Sequence, residues 1–278
     1  MSLFRLIPLA AEAVEILLNP LGIGKESNAP SNDQENIRLL ESEHRAVVAE
    51  LQNENKKLME EYQEANKTQM EQMMKLVEDA KSKNLTSFEA IAENDEQAKE
   101  AIIKLAQQAK PLGLEGNHVA LFGTTSCGKS TMLNVLYGKK VAETGFGETT
   151  REIKSYQAND FVLWDIPGKN DEVSYMSMQY ISFFKGLTRR IILVTNTLKE
   201  SSSMMKLLDA IGLDYDIVVN KMDQCKKEEE AKFREAIETE KQTLGLQGVR
   251  SIFYISAENP TQFPDWLKMV DYLTGRWK

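Results

Sequence analysis

Apolar and polar positions split the chain near Asn117 into two unlike parts. Beyond that point short apolar runs recur: His118–Phe122, Phe161–Trp164 after Asp160, Arg190–Val194, Tyr215–Val219 and Ile252–Ile255. Runs of this length, with little polar alternation and bounded by turn residues, predict buried strands. A helix is expected to open at Ser130-Thr131-Met132-Leu133. A charged helix from Lys226 to Thr243 has Phe233, Ala236 and Ile237 as its inner side, and a final helix carries Trp266, Leu267, Val270 and Leu273.

Residues 1–116 are patterned differently. From Met1 to Leu21, Leu3, Phe4, Ile7, Ala11, Val14, Leu17 and Leu18 recur at helical spacing, with Arg5, Pro8, Glu12, Glu15 and Asn19 opposite. This predicts a broad amphipathic helix. Glu12 and Glu15 interrupt a stretch already shorter than about 20 apolar residues, which argues against a membrane span and a secretory signal. The helix either lies on a membrane surface through residues 1–18 or packs on the protein's own helices, and its net-acidic polar face favours packing. Gly22, Gly24, Ser27, Asn28, Pro30 and Ser31 mark a linker, giving a first segment of 1–33.

Over 34–84 breakers are scarce. Val48, Asn55 and Tyr62 share one heptad position and Leu51, Leu58 and Ala65 another, three heptads at most. The stretch is either a coiled-coil-like segment or a long surface helix folded back on the molecule. Thr86 or Ser87 is placed to cap a new helix, with Glu89 as capping-box partner of Thr86. Ile91, Ala92, Ala98, Ala101, Ile102, Leu105 and Ala109 give that helix an apolar face. Pro111 to Gly116 ends it as a hinge, so 34–116 reads as a helical region and 117–278 as a separate domain, which makes the helical region a candidate lever.

Candidate chemistry lies at the ends of the strands. Gly123-Thr124-Thr125-Ser126-Cys127-Gly128-Lys129-Ser130 fits G-x-x-x-x-G-K-[ST] directly after His118–Phe122. A glycine-permissive turn between strand and helix aims backbone N–H groups at phosphate oxygens; Lys129 would reach the β- and γ-phosphates and the Ser130 hydroxyl would ligate Mg²⁺. Asp165-Ile166-Pro167-Gly168 follows the second run, placing a carboxylate to hold Mg²⁺ through water and the Gly168 N–H to meet the γ-phosphate. Asn220-Lys221-Met222-Asp223 follows Tyr215–Val219. The Asp223 carboxylate can accept two hydrogen bonds from guanine and none of that kind from adenine. Ser256-Ala257-Glu258 follows the last run, where a backbone N–H could meet the guanine carbonyl.

In this order, each at the carboxyl end of a strand, the four motifs are those of the P-loop GTPases, which the chain resembles from about Asn117 to its C-terminus. The resemblance implies an α/β fold, a G domain with a mostly parallel sheet, helices on both faces and nucleotide at the carboxyl ends of the strands. The proline of Asp165-Ile166-Pro167-Gly168 and the stretch Gly147 to Arg151 look like the Era and dynamin side. With its leading helices the chain also resembles the immunity-related (interferon-inducible-type) GTPases. The implied ligands are GTP or GDP and Mg²⁺. Gly123 to Thr131 would hold phosphate; Asp165 and Gly168 would face the metal and γ-phosphate; Asn220, Lys221, Asp223, Ser256 and Ala257 would hold guanine. Lys129 and Thr150 would act in catalysis, with Ser130, Thr150 and Asp165 on the metal and Thr149 as the alternative to Thr150.

One departure changes the expected rate. Ras-like enzymes carry a glutamine just after Asp-x-x-Gly to orient the attacking water, and this chain has Lys169. Intrinsic hydrolysis is therefore expected to be slow, completed by self-association through the G domain or helices, a monovalent cation near Ser126, or an arginine such as Arg151. A GTP-binding scaffold that scarcely hydrolyses is the other reading. The net charge of −8 over 278 residues, without a basic stripe, argues against a nucleic-acid partner. Cys127 and Cys225 are the only cysteines, too few for a disulfide framework, and read as free thiols in a reducing, cytoplasmic setting, with peripheral membrane association if residues 1–18 lie on a bilayer. His118, opening its strand, reads as structural.

Overall fold

The computed structural model describes residues 66–138, 154–158, 160–166 and 175–275, together with Lys57 and Glu64. The expected helix of residues 1–21, its linker, the heptad positions before residue 66, Thr149, Thr150, Arg151, Gly168 and Lys169 lie outside the described residues.

Six strands form one sheet in the order β2-β3-β1-β4-β5-β6. They are β1 (His118–Phe122), β2 (Lys154–Gln157), β3 (Val162–Asp165), β4 (Arg189–Val194), β5 (Tyr215–Val219) and β6 (Val249–Tyr254). Every pairing is parallel except that of β2 with β3. The fold is thus α/β with a mostly parallel sheet. All five residues of β1 and of β5 are buried, as continuous apolar runs require of strands covered on both faces.

Period-two alternation divides these strands between two cores. Val119, Leu121, Leu163, Ile191, Leu193 and Val218 face one side, where they meet Met132 and Leu133 of α4 (Lys129–Tyr137) and Trp266, Met269 and Leu273 of α8 (Pro264–Leu273). Ala120, Phe122, Trp164, Ile192, Val194, Ile217 and Val219 face the other. That side is covered by α5 (Met178–Gly186), α6 (Ser202–Ala210) and α7 (Lys227–Leu244). In α7 Ile237 is buried and Phe233 half-buried, but Ala236, expected inside, is exposed.

Ahead of β1 the described chain forms α1 (66–82), α2 (Phe88–Asn94) and α3 (Glu96–Gln108). Met73, Ala80, Phe88, Ile91, Ile102, Leu105 and Ala106 belong to the same hydrophobic core as α5 and α6. From residue 66 onward, then, the long helix is folded back on the molecule. The single helix expected after Ser87 is broken at Asp95, whose carboxylate accepts from the Ala98 N–H at 3.0 Å and so starts α3. Ser87 is the cap of α2, accepting from the Ala90 N–H at 3.1 Å. Glu89 makes no capping box; it reaches across to α6, where Ser202 Oγ donates to it at 2.9 Å.

The stretch after α3 is pinned to α5. Lys185 Nζ donates to the carbonyls of Gln107 at 2.9 Å and Ala109 at 2.8 Å, closing the C-terminal end of α3 with a cation. The Leu112 N–H donates to Ser182 O at 2.8 Å, and a Cβ on Gly186 would fall against the Leu112 carbonyl. Beneath the sheet, the buried Arg190 donates to the carbonyls of Phe184 and Asp214, both at 2.6 Å, and Leu187 at 2.9 Å.

Candidate nucleotide-binding site

Three loops at the carboxyl ends of parallel strands converge on one residue. Asn220, 3 % exposed just after β5, donates from Nδ2 to the Cys127 carbonyl at 2.9 Å. Its Oδ1 accepts from the Ala257 N–H, also at 2.9 Å. The loops after β1, β5 and β6 are thereby held in one arrangement by a single amide whose donor and acceptor both have partners. The base of this arrangement is continued by the backbone, with Asn220 N donating to Val194 O at 2.8 Å and Met222 N to Ile255 O at 3.0 Å.

The loop from Gly123 to Ser130 needs its glycines. Gly123 has φ +141° and Gly128 φ +101°, and a Cβ on Gly128 would strike the Asn220 amide. A Cβ on Gly123 would collide with the Leu193 carbonyl and come to 2.8 Å from Cys127 Sγ. Ser126, exposed at φ +66°, takes the remaining left-handed position. Lys129, 7 % exposed, folds its Nζ back onto the carbonyls of Gly123 and Thr124, each at 2.9 Å, and so stands inside the curve of the loop. No side chain caps the N-terminus of α4, which leaves its first N–H groups and the positive end of its dipole facing the loop. An uncapped helix N-terminus beside a buried ammonium is a fit for phosphate, not for a neutral ligand.

Residues 118–250 match the family of 50S ribosome-binding GTPases. The probable GTP-binding protein EngB of Thermosipho africanus is 30 % identical over 137 residues, 44 % of this chain and 70 % of that protein. The chain belongs to the P-loop GTPases of the Era/EngB type. The GTPase Era of Ehrlichia ruminantium is 31 % identical over 116 residues, 37 % of this chain and 39 % of that one. A crystal structure of an Aquifex aeolicus Era variant bound to GDP·AlF4⁻ superposes with a TM-score of 0.43 at 18 % identity, covering 58 % of this chain and 57 % of that one.

In this GTPase the groups that could hold a divalent ion are hydroxyl and carboxylate oxygens, the hard ligands that Mg²⁺ prefers. Ser130 is half-buried in the first turn of α4, Thr131 follows it, and Asp165 is buried at the end of β3 opposite Leu121 of β1. Lys221, at φ +61°, turns the chain into a short 3-10 helix, Met222–Gln224, and leaves the Asp223 carboxylate exposed. Ser256 is buried, and its Oγ accepts from the Asn259 N–H at 3.1 Å. Within Ser256-Ala257-Glu258 the Ala257 N–H is taken up by Asn220 Oδ1. Thr125 is half-buried and Ser126 exposed; the Asn220 bridge brings together the segments after β1, β5 and β6, while Asp165 stands at the end of β3, beside β1. Burial pushes the Cys127 thiol up despite Lys129 Nζ at 3.9 Å, so it remains a neutral thiol under the loop. His118 is structural: Trp164 Nε1 donates to its Nδ1 at 3.0 Å, which leaves the proton on Nε2 facing Glu115 O at 2.9 Å.

Sequence reasoning missed the segment after β4. Glu200, in a 3-10 turn at Lys199–Ser201, accepts from Thr124 Oγ1 of the phosphate loop at 3.4 Å. Glu240 of α7 holds the same segment, accepting from the Leu198 N–H at 2.8 Å and from Thr197 Oγ1. No motif announces either carboxylate, since their partners stand about forty to eighty residues away in the chain.

Proposed function

We propose that the protein binds GTP and GDP and hydrolyses GTP slowly with Mg²⁺, and that its rate is raised by self-association or a partner. The observation that carries this reading is the Asn220 bridge, which holds the phosphate loop and the base-side loops in one pocket wall. Lys129 and the N–H groups of Gly123 to Thr131 neutralise and orient the phosphates, and Asp223 selects guanine by accepting from its N1–H and amino group. Ser130 and Asp165, with Thr150 or Thr149, hold Mg²⁺, which supplies charge stabilisation to the phosphates when bound. Gly168 completes the γ-phosphate contact.

Lys169, where a water-orienting glutamine stands in Ras-like enzymes, supports a low intrinsic rate. A second G domain, Arg151, or a monovalent cation at the exposed Ser126 would supply what Lys169 does not. Self-association in the manner of the dynamin and immunity-related GTPases rests on the helices that precede the G domain. Through these helices we also place a coupling between nucleotide state and the N-terminal region. Two free thiols support a reducing, cytoplasmic setting, and residues 1–18 would either pack on the helices or touch a membrane surface. A scaffold that binds GTP and scarcely turns it over is the second reading, favoured by the same lysine.

The test is GTP turnover by the full chain across a wide protein concentration range, with Mg²⁺ and either Na⁺ or K⁺. Specific activity that climbs with concentration supports the self-activating enzyme; tight binding with flat, negligible turnover supports the scaffold. Failure to bind GTP at all would overturn both.

A further inference from the structure

The N-terminal helices grip the G domain at a point that leads straight to the phosphate loop. The N-terminus of α2 lies across the first turn of α6: the buried Phe88 N–H donates to Ser203 Oγ at 2.9 Å, and Ser202 Oγ donates to Glu89 Oε2 at 2.9 Å. Glu89 Oε1 also pairs with Lys206 Nζ, both side chains about one-third exposed. Ser202 Oγ reaches the Lys199 carbonyl too, at 2.9 Å, so the carboxylate of α2 and the turn Lys199–Ser201 share one hydroxyl. That turn carries Glu200, the acceptor for Thr124 Oγ1. From the opposite side Glu240 anchors Thr197 and Leu198, leaving the turn suspended between carboxylates from α2 and α7.

We propose that Glu89 is a positioning residue for nucleotide binding: by holding Ser202 and Lys206 it fixes the turn whose Glu200 supports Thr124 in the phosphate loop. This gives the helical region a defined route to the nucleotide and rests on the functional reading above. The pinning of α3 to α5 by Lys185 is a separate attachment of the same helices that does not touch this turn.

The experiment measures dissociation of a fluorescent GDP analogue from the full chain, with Mg²⁺ and excess unlabelled GTP, alongside thermal unfolding. The variants are Glu89→Gln, Glu89→Lys, Lys206→Glu, the double reversal Glu89→Lys with Lys206→Glu, and Lys185→Met as the comparison. Each single change at the Glu89–Lys206 pair is expected to speed dissociation roughly two- to fivefold, the worth of one partly exposed ion pair. The double reversal should return the rate toward wild type, and Lys185→Met should leave it unchanged even where it lowers the melting temperature. Glu89→Gln keeps an acceptor for Ser202 and serves if a reversal does not fold. Unchanged rates in the single variants, equal acceleration by Lys185→Met, or no rescue in the double variant would each overturn the positioning role. A wild-type chain that binds no guanine nucleotide would instead overturn the functional reading on which it stands.

Discussion

Asn220 donates its side-chain N–H to the main-chain carbonyl of Cys127, joining two loops that are remote in sequence. Removing the amide strips a partner from that carbonyl and from the buried Ala257 N–H at once. Asn220→Ala is expected to destabilise the fold by about 1–3 kcal/mol in chemical denaturation, the cost of leaving buried polar groups unpaired. It should also weaken GDP binding in titration. Asn220→Asp should be worse than its size suggests, because a carboxylate oxygen would then face the Cys127 carbonyl.

Gly128→Ala tests the cradle. The substitution adds a methyl group against the Asn220 amide at a backbone angle of φ +101°. Nucleotide binding should fall at least tenfold while circular dichroism reports an intact fold, since the strain, of order 1–3 kcal/mol, is confined to the loop.

Base choice should follow one carboxylate. Asp223→Asn turns an acceptor pair into an acceptor and a donor, and the new amide N–H would oppose a guanine N–H. Competition binding should show lost preference for GTP over other nucleoside triphosphates, whereas Lys129→Ala should abolish binding of all of them.

A pH effect is expected at the other end of the sheet. Asp216 is 2 % exposed on β5, and burial pushes its carboxyl up to about 6 in spite of Arg189, Tyr272, Arg250 and Arg190 nearby. Its folded-state value lies above that of the unfolded chain, so between about pH 4 and pH 6 the native state holds a proton the unfolded state has released. Stability should therefore decline as pH rises through this window and level off above it, by an amount on the order of 3 kcal/mol. Denaturation midpoints of Asp216→Asn should lose this part of the pH dependence.

Arg190→Met removes a buried guanidinium that donates to three carbonyls. The loss should be on the order of 2–4 kcal/mol in stability, with GDP affinity of the folded protein unchanged, because Phe184, Leu187 and Asp214 stand away from the phosphate loop.

Strands buried on both faces were legible because an unbroken apolar run ending in a turn leaves few alternatives; β1 and β5 fall where the pattern puts them. The antiparallel β2 was not, being four residues of Lys-Ser-Tyr-Gln whose partner β3 is what makes it a strand. Nor was α5, where Met178, Tyr180, Ile181, Ser182, Phe183 and Phe184 are buried around the helix, so no polar face betrays its period. The phosphate loop could be read from local constraints, with left-handed turns that need glycine and a lysine that must reach back. The supports of that loop could not, since Glu200 and Glu240 look like ordinary surface acids and Glu89 like a local capping-box partner until the fold gives them partners on other elements.

Shared packing between α1–α3 and the sheet bears on how the protein can be divided. A fragment begun at Asn117 would uncover the side of α5 and α6 that meets Met73, Phe88, Ile91, Ile102 and Leu105. It would also strip Lys185 of its two carbonyl acceptors and Lys206 of its carboxylate. Such a fragment presents a sticky apolar wall to its neighbours. Any oligomers it forms would report that wound and not a property of the intact protein, which makes the intact chain the proper subject for every association experiment.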